Sequence, residues 1–405
     1  MAAVECQFAA ATGATAPSVT VAEIHGRGRA LVSSQPLKAG QIVFRDSPIL
    51  LYSAFPFECD GASSSSIAAD RNYCSHCFRK LHIAAGASII SCPSCSHTSF
   101  CSPSCRSAAL SSTHTPWVCR TLIRLRNCPS LVALDQDRQV QARFLVAAYN
   151  LAAVSPSDFQ ILLSLQGAGD GNDAAVFLHS LISSLSPPPQ SVSVELTAAL
   201  LAKDKLNAFG LMEPFSPGGE RSVRAYGMYP NASFFNHDCL PNACRFDYVD
   251  TDPDGNTDII VRMIHDVPRG REICLSYFPV NEKYSHRQRR LLEDYGFTCE
   301  CDRCKVEANW SDEEEEEEEG DEMDEDSDDR MGMGVDDVEN ALEAESDFPH
   351  AYFFLRYMCN RDNCWGTLAP LPPSNDGTPS NVVECNVCGS LKKDEDEGDA
   401  NSMDD

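Results

Sequence analysis

Paired cysteines constrain this chain more than any other feature of its sequence. The 405 residues include 20 cysteines, and most of them recur at short spacings in three clusters. The start, "MAAVECQFAAATG", lacks the basic and long apolar parts of a secretory signal, so we expect a reducing intracellular compartment. In that environment, spaced cysteine pairs favour metal binding over disulfides. We therefore expect structural zinc.

The densest cluster spans residues 74–119 and offers eight ligands, enough for two tetrahedral zinc sites. Alternate pairs are expected to cross. One site would be Cys74, Cys77, Cys101 and Cys105, and the other would be Cys92, Cys95, His114 and Cys119. A segment this short buries little apolar surface, so the metal would supply much of its folding free energy. The alternative is a set of unligated buried thiols.

The next cysteine cluster lacks a fourth ligand and consists of Cys299, Cys301 and Cys304. Cys239, in the stretch "NHDCLPN" (236–242), has no partner at a ligand spacing. Because structural zinc strongly prefers four ligands, we expect Cys239 to complete this site, although two unrelated cysteine features are an alternative. A last cluster with zinc-ribbon-like spacing consists of Cys359, Cys364, Cys385 and Cys388. The sequence thus predicts about four zinc ions per chain.

The charge of the chain is concentrated in two places. The formal net charge is -28, and most of the excess lies in residues 312–329 and in the tail after residue 391. Direct nucleic-acid binding is not expected, because it needs clustered Lys and Arg. No apolar run is long enough to span a membrane, so no membrane contact is expected either. The acidic run is expected to be a solvated linker that could attract basic partners.

Hydrophobic periodicity divides the rest of the chain. Residues 19–52 alternate Val and Ile with polar residues between Gly-containing turns, which predicts strands. The pattern is helical from about 130 to 212, and short strands return at 223–278. Residues 281–296 are expected to form a charged helix that ends at Gly296.

Four motifs, taken in order, resemble those of the SET-domain protein lysine methyltransferases. They are "HGRGRAL" (25–31), "NHDCLPN" (236–242), "EICLSY" (272–277) and "CECDRC" (299–304). "NAFGL" (207–211) is also similar to that family, and the eight-ligand cluster resembles a MYND zinc finger, although the step from His114 to Cys119 is one residue longer than usual. Many animal members of that family carry a helical repeat domain at this point in the chain. Here the acidic run and the last cysteine unit stand in its place. In this the chain is most similar to the plant ASH-related SET proteins.

The resemblance implies a mostly β SET fold with a helical insertion (α+β), an inserted MYND zinc finger, a post-SET zinc site and a C-terminal four-cysteine zinc-ribbon-like unit. The implied divisions are a flexible N-terminus (1–19), a SET domain with its post-SET part (20–305), a finger inserted at 74–119, a helical insert at about 120–222, an acidic disordered linker (306–349), a four-cysteine unit (350–390) and an acidic tail (391–405).

The activity implied is S-adenosylmethionine-dependent methylation of protein lysines, histone or non-histone, in chromatin regulation, with location in the nucleus and/or cytoplasm. The substrate would be a histone tail or another basic protein, and the finger would bind a proline-containing peptide. The competing hypothesis is a MYND-type interaction or adaptor protein with an inactive SET fold. The presence of every motif, including Tyr277, favours the enzyme.

Methyl transfer to lysine needs an aligned cofactor, a neutral amine and a group that orients that amine. The resemblance assigns catalysis to Tyr277 and Tyr295. It assigns cofactor binding to Gly26, Arg27, Gly28, Asn207, Ser233, Asn236, His237, Tyr277 and Phe297, the last by stacking on adenine. Glycines allow close backbone approach, but a lone GxG also fits a plain β-turn. A lone histidine is more often structural than a catalytic base, so His237 is given no proton transfer.

Overall fold

The computed structural model describes residues 17–57, 72–81, 90–95, 97–169, 173–216, 222–251, 255–309, 356–374 and 376–393. The expected flexible N-terminus (1–19), acidic linker (306–349) and acidic tail (391–405) lie outside these residues except at their junctions. Within the described part of the chain, no helix has the length and apolar character needed to cross a membrane.

Strands come first and last in the chain, and helices fill its middle. The strands are β1 (Val19–Ile24), β2 (Gly28–Ser33), β3 (Ile42–Asp46), β4 (Leu50–Ser53), β5 (Ile90–Ser91), β6 (Ser99–Phe100), β7 (Ala208–Met212), β8 (Val223–Met228), β9 (Asn236–His237), β10 (Ala243–Phe246), β11 (Ile259–Met263), β12 (Cys274–Leu275), β13 (Leu368–Pro370), β14 (Val382–Cys385) and β15 (Leu391–Lys393). The helices are α1 (Pro103–Ser111), α2 (Pro116–Arg126), α3 (Pro129–Val132), α4 (Gln136–Val154), α5 (Pro156–Ser164), α6 (Asp173–Leu185), α7 (Val194–Asn207), α8 (Tyr284–Arg290) and α9 (Asp302–Glu307).

Small sheets build the β core. β1 and β2 form an antiparallel hairpin, β11 lies between β3 and β10, and β8 lies between β4 and β7. All five residues of β11 are buried, as expected for an apolar strand covered on both faces. The short strands β9 and β12 pair in parallel, Asn236 opposite Cys274 and His237 opposite Leu275. This pairing brings two of the sequence motifs side by side.

The helical insert packs on the sheet that contains β4. Helix α4 is its centre, and its buried face includes Phe144, Leu145 and Tyr149. Asp135 begins α4 as an N-cap, because its carboxylate accepts from the backbone N–H of Arg138 at 2.8 Å. Helix α7 is the last helix of the insert. It is followed directly by β7, so the chain re-enters the β core at this point.

The charged helix is shorter than predicted but ends where expected. α8 is followed by a π-helical turn, Leu291–Tyr295, and the chain leaves this turn at Gly296 with φ +77°. A left-handed C-cap of this kind favours glycine. The turn points the following cysteines back toward β9.

The C-terminal four-cysteine unit is a three-stranded sheet docked on the β core. The carboxylate of Glu384, on β14, accepts from Arg262 on β11 at 2.8 Å and from the Tyr248 hydroxyl at 3.0 Å. The side chain of Asn386 donates to the Arg245 carbonyl at 3.0 Å. β15 extends this sheet through residues 391–393, which the sequence had placed in the acidic tail. Pairing with β14 accounts for the difference.

Candidate methyltransferase site

One cleft of about 1010 Å³ gathers every residue predicted to serve catalysis or cofactor binding. It lies between the β1–β2 turn, the end of α7, the strand β9 and the segment that follows the π-helical turn. The predicted residues that line it are Gly26, Arg27, Gly28, Asn207, Ser233, Asn236, His237, Tyr277, Tyr295 and Phe297. Leu165 and Gln166, at the end of α5, also line it. No motif signalled these two, because they come from the helical insert.

The β1–β2 turn forms one rim of the cleft. Gly26 and Gly28 have φ of +77° and +72°, and a Cβ added at either position would meet no atom of the described residues within 4 Å. The backbone conformation therefore accounts for both glycines in this structure. Between them, Arg27 reaches inward. Its guanidinium pairs with Glu272 at 3.0 Å and donates to the His237 carbonyl at 2.9 Å, which holds the turn against β9.

The side-chain amide of Asn236 donates hydrogen bonds to groups in the walls of the cleft. Its Nδ2 donates to Glu272 Oε1 at 2.9 Å and to the Arg27 carbonyl at 3.3 Å. The Glu272 carbonyl in turn accepts from Asn242 at 2.8 Å. Glu272 is thus the acceptor that joins three segments around the cleft. The Asn236 amide acts here on protein groups and fixes the shape of the cleft.

Asn207 and Ser233 also use their donors internally. Asn207 Nδ2 donates to the carbonyls of Gln166 and Lys203, each at 2.8 Å. The Ser233 hydroxyl donates to the Tyr229 carbonyl at 2.8 Å and stabilises the short helical turn before β9. Both residues line the cleft, and both set the position of neighbouring backbone.

Three aromatic side chains and His237 form the inner wall. The rings of Tyr277 and Tyr295 have centroids 4.9 Å apart, and Tyr295 lies 6.4 Å from Phe297. His237 lies 5.2 Å from Tyr277. Phe297 is 36% exposed and presents a face to the cleft. Such a wall can stack on a flat ring or surround a cationic amine.

The Tyr277 hydroxyl is held in one direction. It donates to the Phe235 carbonyl at 2.8 Å, and burial raises its pKa above the ordinary tyrosine value. The hydroxyl is therefore protonated at neutral pH, and with its proton used its lone pairs are free to accept from an amine N–H. Burial also raises the pKa of Tyr295.

Four sets of cysteine and histidine side chains each bring their ligand atoms within 4.8 Å of one another. The finger set 1 is Cys74, Cys77, Cys101 and Cys105; the finger set 2 is Cys92, Cys95, His114 and Cys119; the lid set is Cys239, Cys299, Cys301 and Cys304; and the C-terminal set is Cys359, Cys364, Cys385 and Cys388. These are the groupings predicted from spacing, including the crossed pairs of the finger.

The distances within these sets fit zinc. A tetrahedral site with Zn–S bonds of about 2.3 Å separates its sulfurs by about 3.8 Å. The sulfurs of Cys77 and Cys101 are 3.7 Å apart, and those of Cys239 and Cys304 are 3.5 Å apart. A disulfide would need about 2.05 Å. Each set could therefore hold one zinc ion.

Buried arginines lie beneath the lid set. Arg287 is fully buried, and its Nε donates to Cys239 Sγ at 3.3 Å while its Nη2 pairs with Glu307. Arg303 pairs with Glu307 at 2.7 Å. Zinc with four thiolates carries a charge of about -2, and the two guanidinium groups, which both pair with Glu307, offset part of that charge. The chemistry of the surrounding groups therefore suits a metal-bound tetrathiolate.

The finger is fastened to the β core by a buried charge network. Arg224, on β8, is fully buried and pairs with Glu213 at 2.8 Å and Asp250 at 3.0 Å. The same guanidinium donates to the Phe78 carbonyl at 2.9 Å, between the finger's first ligands and its next strand. This arrangement positions finger set 1 against the core.

Comparison with known proteins matches the SET domain family model over residues 28–278. The chain is 61% identical over 399 residues to histone-lysine N-methyltransferase ASHR2 of Arabidopsis thaliana, covering 93% of this chain and 95% of that protein. It is 24% identical over 287 residues to a SET and MYND domain-containing protein of Dictyostelium discoideum, covering 65% of this chain and 76% of that protein. Among solved structures, the SET domain of LSMT bound to lysine and AdoHcy matches with a TM-score of 0.31 and 12% identity, over 71% of this chain and 54% of that chain.

Proposed function

The chain belongs to the SET domain family, and on that premise we propose that it is an S-adenosylmethionine-dependent protein-lysine N-methyltransferase. One observation carries the proposal: every residue that the family motifs assign to the cofactor or to catalysis lines the same cleft. The lid set lies at its edge, because Cys299 and Cys301 also line it. The family match agrees with the expected SET fold with its helical insertion.

The cleft and its aromatic wall suit the proposed cofactor. Phe297 offers a partly exposed ring for an adenine, and the β1–β2 turn lets backbone come close to a bound molecule. When bound, S-adenosylmethionine supplies a methyl group on a sulfonium, and that methyl passes to the lysine nitrogen as its bond to sulfur breaks. The chain's own residues then have three tasks: to bind, to exclude water and to orient the amine.

We assign the orienting task to Tyr277 and Tyr295. The Tyr277 hydroxyl, fixed by its bond to Phe235, would accept an N–H from the neutral lysine amine and leave the nitrogen lone pair pointing at the methyl group. The neutral amine is favoured by a dry channel and by a nearby positive charge, both of which lower a lysine pKa. After transfer, the facing ring of Tyr295 would stabilise the cationic product. The proton that makes the amine neutral leaves the lysine ammonium for solvent before transfer, so the positive charge passes from the sulfonium to the methylated nitrogen.

The substrate class follows from charge and from the relative's name. ASHR2 is named a histone-lysine N-methyltransferase, and the acidic run of this chain would attract a basic protein. We therefore propose a histone tail or another basic protein as substrate, a nuclear site of action, and a proline-containing peptide as partner of the finger. We also propose the division into a SET domain (20–305), finger (74–119), insert (about 120–222) and four-cysteine unit, whose predicted end at 390 moves to 393 with the pairing of β15.

The direct test is transfer of labelled methyl from S-adenosylmethionine into purified histones and into cell extract. Labelled proteins are digested, and mass spectrometry identifies the modified residue. We expect label on lysine, reduced by roughly two orders of magnitude when Tyr277→Phe protein replaces wild type. If the zinc-loaded wild-type protein neither binds S-adenosylmethionine nor transfers label, the proposal is wrong and the adaptor hypothesis takes its place.

A further inference from the structure

The backbone ladder between β9 and β12 ends one step before the proposed catalytic tyrosine. The N–H of Asp238 donates to the Leu275 carbonyl at 3.0 Å, and this is the last regular contact. Two residues after Leu275, the next backbone N–H that faces β9 belongs to Tyr277. It donates to Nδ1 of the His237 imidazole at 3.1 Å. The His237 side chain thus takes the place of a backbone carbonyl as the acceptor for the Tyr277 N–H.

The same imidazole is tied on its other side to the lid set. Because Nδ1 accepts a hydrogen bond, the proton of the neutral ring sits on Nε2. Nε2 lies 3.1 Å from Cys239 Sγ, at donating distance from a zinc-ligating sulfur. His237 is 2% exposed and Cys239 is 1% exposed. Water therefore has little opportunity to replace either contact.

Cys239 is the ligand of the lid set that receives donors from two elements. His237 approaches its sulfur from β9, and Arg287 approaches it from α8 at 3.3 Å. N–H donors to a ligating thiolate spread its charge and fix its direction. The direction of this thiolate and the position of Tyr277 are therefore set by opposite edges of one rigid ring.

We propose that His237 is a positioning residue that couples the lid zinc site to Tyr277. Cys239 Sγ, the His237 ring and the Tyr277 N–H form one continuous link. This rests on the proposed function, because the role of Tyr277 in methyl transfer comes from it. The lid zinc would then act in two ways: it would hold the segment around Phe297 over the cleft, and it would fix the segment after β12 that carries the catalytic hydroxyl.

Two amide variants separate the contact with Tyr277 from the contact with Cys239. In His237→Asn, the side-chain oxygen can take the place of Nδ1 and accept from Tyr277, but no donor reaches Cys239. In His237→Gln, the amide nitrogen can take the place of Nε2, but the acceptor for Tyr277 is lost. His237→Leu removes both contacts. His179→Gln, which changes a histidine on α6 that contacts Thr197, is the control.

Two quantities are measured on zinc-loaded full-length protein. The first is the rate at which a chromogenic chelator removes the lid zinc, identified as the component absent from Cys239→Ser. The second is the pair of kcat and KM for S-adenosylmethionine. We expect His237→Asn to release lid zinc about tenfold faster, in line with other residues that support metal ligands. We expect His237→Gln to lower kcat about tenfold, with KM within about threefold, because the tyrosine is displaced.

The split between these variants decides the proposal. It is overturned if His237→Leu keeps the wild-type zinc-release rate and kcat. It is also overturned if the Asn and Gln variants each show both faster zinc release and lower kcat, as expected for a residue that only packs. If the wild-type protein transfers no methyl group, the proposed function fails separately. The zinc-release rates then still decide whether His237 supports Cys239, since equal rates in the Asn and Gln variants would overturn the link.

Discussion

The hydroxyl of Tyr277 is the single polar atom on which the proposed chemistry depends most directly. Its proton is committed to the Phe235 carbonyl at 2.8 Å, and burial raises its pKa. It therefore cannot act as a base at neutral pH. Its remaining role is to accept a hydrogen bond and to hold an amine in line with the methyl group.

Tyr277→Phe should lower methyl transfer by roughly two orders of magnitude, the range for a positioned orienting group. The zinc content and thermal stability should stay close to wild type, since only a hydroxyl is removed. The affinity for S-adenosylmethionine should also be retained. Cys239→Ser is the contrasting variant, because it should lose one zinc ion together with cofactor affinity. A wild-type rate in Tyr277→Phe would contradict the catalytic assignment.

A buried acid next to the insert gives a pH dependence of stability. Asp204, on α7, accepts from the Tyr52 hydroxyl on β4, and burial raises the pKa of Asp204 to about 7. The unfolded value is about 3.9. Because the folded pKa is the higher one, the stabilisation is present at low pH and is lost as pH rises through 7.

Asp204→Asn should remove this dependence while keeping an acceptor for Tyr52. Between pH 6 and 8 the wild-type protein should lose about 1 kcal/mol of unfolding free energy relative to the variant, after allowance for partial solvent access to the carboxylate. Denaturant unfolding at the two pH values, both in zinc-containing buffer, measures this difference. Parallel pH profiles for the two proteins would contradict the assignment.

At the scale of elements, helix α7 shapes the cleft from behind. The Lys203 ammonium is buried and donates to the carbonyls of Leu165 at 2.7 Å and Gly167 at 3.0 Å. One turn later, Asn207 donates to the carbonyl between them. The loop lies so close to α7 that a Cβ on Gly169 would meet the Ala198 backbone at 2.2 Å. Three consecutive carbonyls of a cleft-lining loop are thus held by one helix.

Lys203→Met should loosen this loop with little change to the chemistry. The carbonyls of Leu165 and Gly167 would lose their donor, and an unsatisfied buried acceptor costs about 1–3 kcal/mol. We expect KM for S-adenosylmethionine to rise about tenfold and kcat to stay within about threefold. Lys38→Met, which removes an exposed pair with Asp266, is the matched control. An unchanged KM would show that the loop does not shape the cofactor cleft.

For the whole molecule, zinc joins segments that are distant in the chain. The lid set connects Cys239 to a triplet 60 residues later, and the C-terminal set stabilises a unit that docks on β11 through Glu384. We expect elemental analysis of purified full-length protein to give four zinc ions per chain. Two or fewer would contradict this count. Cys364→Ser should lower it by one, while the lid and finger sets keep theirs.

The grouping of the cysteines and the end of one helical segment followed from the sequence alone. Thiolates at short spacings have few ways to satisfy a tetrahedral ion, so Cys74 and Cys101 could be placed in one set without a structure. Likewise, Gly296 ends its helical segment because the left-handed conformation at that position favours glycine. Both are properties of local chemistry. The residues that the motif resemblance named also line one cleft in the structure.

Only the tertiary structure decided what each polar group in the cleft does. The amides of Asn207 and Asn236 were expected to serve the cofactor, but their donors are bonded to protein groups, and His237 bridges a metal ligand and a strand. Hydrogen bonds are short and directional, so their partners are set by which distant segments the fold brings within about 3 Å. Arg27 and Glu272 are 245 residues apart in sequence and 3.0 Å apart in space, a proximity that no local pattern encodes.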